Sequence, residues 1–208
     1  VKILVLSHVS RWFGPQEVIR DVCLSVEAGE ILCLEGPSGV GKTVLLEIMA
    51  GILGPDRGER VCEAERVGYA FQDDCLLPWR TARQNLLFGL SGTVDRVTAE
   101  ARARHWLERV GLGEAGDKCP GAMSGGMRRR LNIARALAVE PDLVLLDEPF
   151  AFQDEATCAV LRDLILAVNA ERGTAMVMVN HRPGHALELG ARQVRIRSAP
   201  VVLSDESG

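Results

Sequence analysis

The sequence predicts an α/β fold: a mostly parallel sheet flanked by helices, an antiparallel β portion at the N-terminus and a helical insertion partway along. Three observations carry this. From residue 30 the order is strand, glycine-rich loop, helix, and after residue 139 it is strand, helix, strand, helix. The apolar runs within 30–35 and 143–148 lack polar alternation, as strands buried on both faces of a parallel sheet do. Between residues 73 and 140 the pattern turns to helical periodicity broken by Gly and Pro.

In chain order, residues 3–9 and 18–26 alternate as antiparallel strands do, around a turn at Gly14-Pro15. A strand at 30–35 leads into a glycine loop and a helix that opens at about Gly41 and runs to Ala50. A short strand follows at 66–71. Helical periodicity then covers 82–90, 98–110 and 125–139. Strands return at 143–148 and 174–180. The chain reads as one domain over 1–208, with an α/β core of 1–72 plus 141–208 and a helical subdomain at 73–140.

Bulk properties narrow the classes. The 208 residues are 47% hydrophobic and 25% charged, values of a soluble globular protein. No apolar run approaches the roughly twenty residues that span a bilayer. The opening Val1-Lys2-Ile3 leads directly into a strand with no leader pattern, so a cytoplasmic place is expected. A net charge of −4 argues against a nucleic-acid surface. The six cysteines show no C-x-x-C and no zinc spacing, which suits a reducing compartment, and Cys23 and Cys33 read as small buried hydrophobes. The tail 204–208 reads as disordered.

Gly36-Pro37-Ser38-Gly39-Val40-Gly41-Lys42-Thr43 fits G-x-x-x-x-G-K-[ST] without a mismatch, between a strand and a helix. Glycines let such a loop turn back and aim successive N–H groups at phosphate oxygens, and the helix adds its positive end. Lys42 then reaches the β- and γ-phosphates and Thr43 ligates Mg²⁺. The run Leu143-Val144-Leu145-Leu146 closes on Asp147-Glu148. Ligands gather at the carboxyl ends of such strands. Asp147 is placed there to hold Mg²⁺, directly or through water, and Glu148 to act as base for an attacking water.

Between the two lies Met123-Ser124-Gly125-Gly126-Met127-Arg128-Arg129-Arg130. Ser-Gly-Gly opening a basic helix about twenty residues before an Asp-Glu strand end resembles the signature motif of the ATP-binding cassette (ABC) ATPases, with Met127 where the family usually has Gln. The arginine cluster itself reads as a solvated helix face. The resemblance covers nearly the whole chain and implies a P-loop NTPase (RecA-like) core. It implies a head-to-tail dimer in which Ser124, Gly125 and Gly126 contact the γ-phosphate of ATP bound by the facing subunit. Other landmarks follow in order. Phe71-Gln72 looks like the Q-loop, whose Gln72 ligates Mg²⁺ and positions water. Phe150-Ala151-Phe152-Gln153-Asp154 stands at the D-loop, retaining Ala151 and Asp154. His181 resembles the histidine that contacts the γ-phosphate. Phe13 stands where the family carries an aromatic that stacks on adenine, with Trp12 as rival and core filling as the plainer role. His8, His105 and His185 read as ordinary solvated or hydrogen-bonded residues.

The string Phe71-Gln72-Asp73-Asp74-Cys75-Leu76-Leu77-Pro78-Trp79-Arg80-Thr81, with Asn85 soon after, is similar to the ATPases of nitrate, sulfonate, taurine and related small-anion or vitamin-precursor importers. Met127 then becomes a subgroup feature. Pro78-Trp79 suits a groove that receives a coupling helix of a membrane permease, or else an internally packed corner. The resemblance implies an ATP-hydrolysing importer subunit, peripheral at the cytoplasmic face of the inner membrane. It would form a homodimer, dock a permease through residues 73–81, and meet a solute-binding protein only indirectly. Two alternatives stand beside it: a soluble ABC ATPase without a membrane partner, and a module that binds ATP but hydrolyses it slowly, suggested by the altered D-loop and by Asn180 before His181. The lack of an Asn-Lys-x-Asp motif disfavours a GTPase.

Overall fold

The computed structural model describes residues 1–151, 153–180 and 183–203. Two sheets organise it. Strands β1 (Lys2–Phe13), β2 (Gln16–Glu27) and β4 (Arg57–Cys62) form an antiparallel sheet in the order β2-β1-β4. Strands β3 (Ile31–Glu35), β5 (Val67–Ala70), β6 (Leu143–Asp147), β7 (Ala175–Asn180) and β8 (Arg192–Arg195) form a five-stranded parallel sheet in the order β5-β6-β7-β3-β8. The expected α/β class and the antiparallel N-terminal portion are both present. Strand β4 was not foreseen: it is a polar edge strand, and its pairing with β1 runs through the backbone.

Every residue of β3, β6 and β7 is buried. Their side chains alternate between two apolar layers. Leu32, Leu34, Leu143, Leu145, Val177 and Val179 face a core shared with the antiparallel sheet and helix α1 (Lys42–Ala50). Cys33, Val144, Leu146, Met176 and Met178 face a second core. That core is completed by α2 (Ala82–Gly89), α3 (Arg96–Arg109), α4 (Gly125–Ala138) and α5 (Glu155–Arg172). This double burial is why the strands read as unbroken apolar runs. Cys33 is buried as expected, whereas Cys23 is only half-buried.

The described elements between residues 73 and 140 are all helical, and the starts of the three α-helices among them are capped by side chains. Thr81 and Gln84 form a reciprocal capping box on α2, Asp95 accepts from Val97 and Thr98 on α3, and Ser124 accepts from Met127 on α4. Beyond α6 (Pro183–Glu188) and β8, the chain returns to the antiparallel sheet. There Val201 bridges Ile19 and exchanges backbone hydrogen bonds with Val18 and Arg20. This returning segment passes behind the loop that joins β3 to α1.

Candidate nucleotide site

The phosphate loop is fixed by contacts only glycine can make. Gly36 leaves β3 with φ +155°, and a Cβ there would sit 2.3 Å from the carbonyl oxygen of Ile196. Gly41 opens α1 with φ +111°, and a Cβ would meet Val18 at 2.9 Å and Val201 at 3.1 Å. Among the described residues no side chain caps α1. Its first N–H groups and its positive end therefore face the loop, a ready anion site. Lys42 is buried, and its Nζ donates to the carbonyls of Gly36 at 2.8 Å and Pro37 at 2.6 Å. Burial lowers its pKa, and the charges of Glu148 and Asp147 oppose that. Ser38, Gly39, Gly41, Lys42 and Thr43 line a cavity of about 340 Å³ that also reaches Gln72 and Glu148. Val40 is buried beneath the loop.

Asp147, the last residue of β6, is fully buried. Neither carboxylate oxygen has a partner of hydrogen-bond geometry among the described residues. Desolvation raises its pKa and the nearby Glu148 adds to the rise, while the Thr43 hydroxyl and Arg129 oppose it. Two buried anionic oxygens beside the Thr43 hydroxyl fit a hard divalent cation such as Mg²⁺. Glu148 follows with φ +53°, a left-handed backbone in a non-glycine residue. Such strain costs roughly 1–3 kcal/mol and recurs at functional sites. Its N–H donates to Val179 at 3.1 Å, and the Gln72 side-chain amide approaches its carboxylate at 3.5 Å. Lys42, Thr43, Gln72, Asp147 and Glu148 therefore converge at the carboxyl ends of β3, β5 and β6.

Ser124, Gly125 and Gly126 line a second cavity, of about 650 Å³, which shares Gln72 and Glu148 with the first and also includes Ala151, Gln153 and Asp154. Asp154 caps α5 by accepting from Thr157 at 2.7 Å, and Gln153 donates to the carbonyl of Gly126 at 3.1 Å. The reading of Arg128-Arg129-Arg130 as a solvated face is wrong. Arg129 is buried and Arg128 and Arg130 are half-buried; Arg129, Asn132 and Arg135 bond to backbone carbonyls of the segment after β5, and Arg128 to the Asp74 carboxylate. Sequence reasoning missed this because the acceptors of Arg129, Asn132 and Arg135 on that segment are backbone carbonyls, which carry no sequence signal.

Phe13 ends β1 with 47% of its surface exposed, so it is no core residue. The Arg11 guanidinium lies 5.1 Å from its ring centre and is held by Asp56 at 2.8 Å. Trp12 is less exposed and faces Arg57 at 5.4 Å. His181 and Phe152 lie outside the described residues, as does the tail 204–208. In the loop before α2, buried Asn85 accepts from the N–H of Leu77 at 2.8 Å and donates to the carbonyls of Leu77, Arg80 and Thr81. The loop is thereby framed from within, and Trp79 projects with 73% exposure. The internally packed corner is ruled out.

The profile of the ABC transporter family matches residues 19–151. The chain is 37% identical, over a 212-residue alignment, to the nitrate import ATP-binding protein NrtC of Synechococcus elongatus, covering 95% of this chain but only 32% of that protein. It is 36% identical to the taurine import ATP-binding protein TauB of Roseobacter denitrificans, over 88% of this chain and 72% of the relative. It is also 36% identical to the aliphatic sulfonates import ATP-binding protein SsuB of Mycobacterium avium, over 95% and 78%. Among solved structures, a dimeric bacterial ABC transporter cassette superposes with a TM-score of 0.87 at 26% identity, covering 93% of this chain and 94% of its own. A dimeric post-hydrolysis cassette bound to ADP and Pi superposes at 0.85, also at 26% identity, over 97% and 96%.

Proposed function

This chain belongs to the ABC transporter family and is an ATPase of it, and on that premise we propose that it is the ATP-hydrolysing subunit of an importer for a small solute of the nitrate, taurine or sulfonate kind. The observation that carries the reading is the convergence of Lys42, Thr43, Gln72 and Glu148 on one cavity of about 340 Å³, with the buried Asp147 carboxylate behind Thr43. Relatives named as import ATP-binding proteins favour an importer over a soluble ABC enzyme.

In this mechanism the loop from Gly36 through Thr43 wraps the phosphates with its N–H groups. Lys42 swings from the loop carbonyls to the β- and γ-phosphates. Glu148 takes the proton from the attacking water, Gln72 orients that water, and His181 contacts the departing γ-phosphoryl group. Thr43, Asp147 and Gln72 would hold Mg²⁺, which would supply charge neutralisation at the phosphates. Phe13 stacks on the adenine.

The signature residues Ser124, Gly125 and Gly126, with Asp154, lie outside the cavity of their own phosphate loop and are free to meet ATP on a facing copy. A head-to-tail homodimer with two sandwiched ATP molecules follows. The α/β core is 1–72 plus 141–208, and the helical part is 73–140. Residues 73–81 dock a membrane permease, with Trp79 as anchor, and a solute-binding protein acts only indirectly. Among the described residues no helix is long and apolar enough to cross a membrane, and we place the subunit at the cytoplasmic face of the inner membrane through that permease. Nucleic acid has no part in the reading.

The test is a pair of variants. Lys42→Ala abolishes nucleotide binding, whereas Glu148→Gln retains binding, stops turnover and accumulates an ATP-bound dimer on size-exclusion chromatography with ATP and Mg²⁺. Wild-type turnover in Glu148→Gln sinks the assignment of the base.

A further inference from the structure

Helix α4 grips the segment that carries Gln72. Arg129 is 2% exposed, and its Nη1 donates both to the carbonyl of Phe71 and, at 3.2 Å, to that of Gln72. Three residues on, fully buried Asn132 donates to the same Phe71 carbonyl at 2.8 Å. After three more, Arg135 donates to the carbonyls of Cys75 at 2.7 Å and Asp74 at 3.0 Å, and to Asn132 Oδ1 at 3.2 Å. Residues three apart on a helix share a face. One stripe of α4 thus holds the backbone on both sides of Gln72.

Arg129 is not there for packing. Its Nε and Nη2 have no partner among the described residues. A buried cation with unpaired donors is costly, and an apolar side chain of similar length would fill the space without that cost. Besides a charge that acts on Asp74, Asp147 and Glu148, the guanidinium supplies what no apolar side chain can, a bond to two successive carbonyls. The Gln72 side chain is itself exposed, and its approach to Glu148, at 3.5 Å, lies at the outer limit of a hydrogen bond. A small rotation of the peptide at residue 72 would open or close it.

We propose that Arg129 is a positioning residue for ATP hydrolysis, which aims the Gln72 amide at Glu148 by fixing the carbonyls of Phe71 and Gln72. This rests on the roles given above to Gln72 and Glu148. It assigns the signature helix a second task, carried out by its buried face.

The test is a double-variant cycle on the purified chain: Arg129→Met, Gln72→Ala and both together, with kcat, KM for ATP and melting temperature measured for each. Both single variants lower kcat by about tenfold to a hundredfold while KM moves less than about threefold. The double variant is no slower than Gln72→Ala, because Arg129 acts through Gln72. Losses that multiply in the double variant overturn the proposal, as does wild-type kcat in Arg129→Met. Wild-type kcat in Gln72→Ala removes the role of Gln72 itself, and the proposal with it. Arg129→Lys, which keeps the charge and one donation, recovers part of kcat. Should Arg129→Met not fold, the cycle is run with Arg129→Lys, and multiplying losses overturn the proposal there too.

Discussion

Asp147 can be changed to Asn at nearly constant volume, and the structure gives the direction of two separate effects. The carboxylate is fully buried, with no partner of hydrogen-bond geometry for either oxygen among the described residues, and burial raises its pKa above the ordinary 3.8. The folded protein therefore holds the Asp147 proton more tightly than the unfolded chain. The contribution of this group to stability is complete below pH 3.8 and is lost as pH rises through the higher folded value. At neutral pH the fold carries an under-satisfied buried charge, worth about 1–3 kcal/mol of destabilisation. Asn removes the charge but leaves a buried polar group, and Lys42 loses one of two neighbouring carboxylates, so about 1 kcal/mol is recovered. In a domain of this size that raises the melting temperature by about 2–4 °C. The gain shrinks as the buffer is taken from pH 7 toward 4. Binding moves the other way. Wild-type protein at a hundred times its Kd for Mg²⁺·ATP gains about 2.7 kcal/mol, whereas Asp147→Asn loses the Mg²⁺-dependent part. Differential scanning fluorimetry with ATP, with and without Mg²⁺, reads both effects. A variant that melts below wild type without ligand, or gains as much from Mg²⁺·ATP, refutes the reasoning.

Two further outcomes bear on the proposed function. Phe13→Ala raises the KM for ATP with little change in kcat, and guanine nucleotides compete moderately well, since every purine has a π-face. A null result there with a clear effect in Trp12→Ala transfers the role to the neighbour. Trp79→Ala, at a side chain 73% exposed, shifts folding stability by less than about 0.5 kcal/mol and leaves ATPase activity of the isolated subunit intact. It weakens co-purification with the permease and stops ATP-driven uptake, and survival of both disproves docking through this loop.

How far the sequence disclosed this site depended on what kind of constraint each residue answers to. Gly36 and Gly41 were legible because the loop leaves no room for a Cβ against Ile196, Val18 and Val201, and that constraint acts at fixed spacing. Strands β3, β6 and β7 were legible because burial on both faces makes every position apolar. Strand β4 was hidden because an edge strand is specified mostly by backbone pairing, which leaves Arg57, Glu59 and Arg60 free to be polar. For Trp79 the sequence left surface and core both open, and only the framing of its loop by Asn85 decided between them.

At Arg129 a pattern that normally means solvent marks a buried group. A run of three arginines near a helix start normally reports solvation, because an unpaired guanidinium is seldom taken out of water. Here its partners are the carbonyls of Phe71 and Gln72, more than fifty residues earlier in the chain. Carbonyls are common to every residue, so no pattern near 71 could have announced them. The legible part of the site is therefore the glycine loop and the apolar strand ends, where glycine and side-chain identity are constrained at fixed spacing. The illegible part is the support behind it, where one buried cation meets anonymous backbone, and that is where a change in catalytic rate can arise without any change in a recognisable motif.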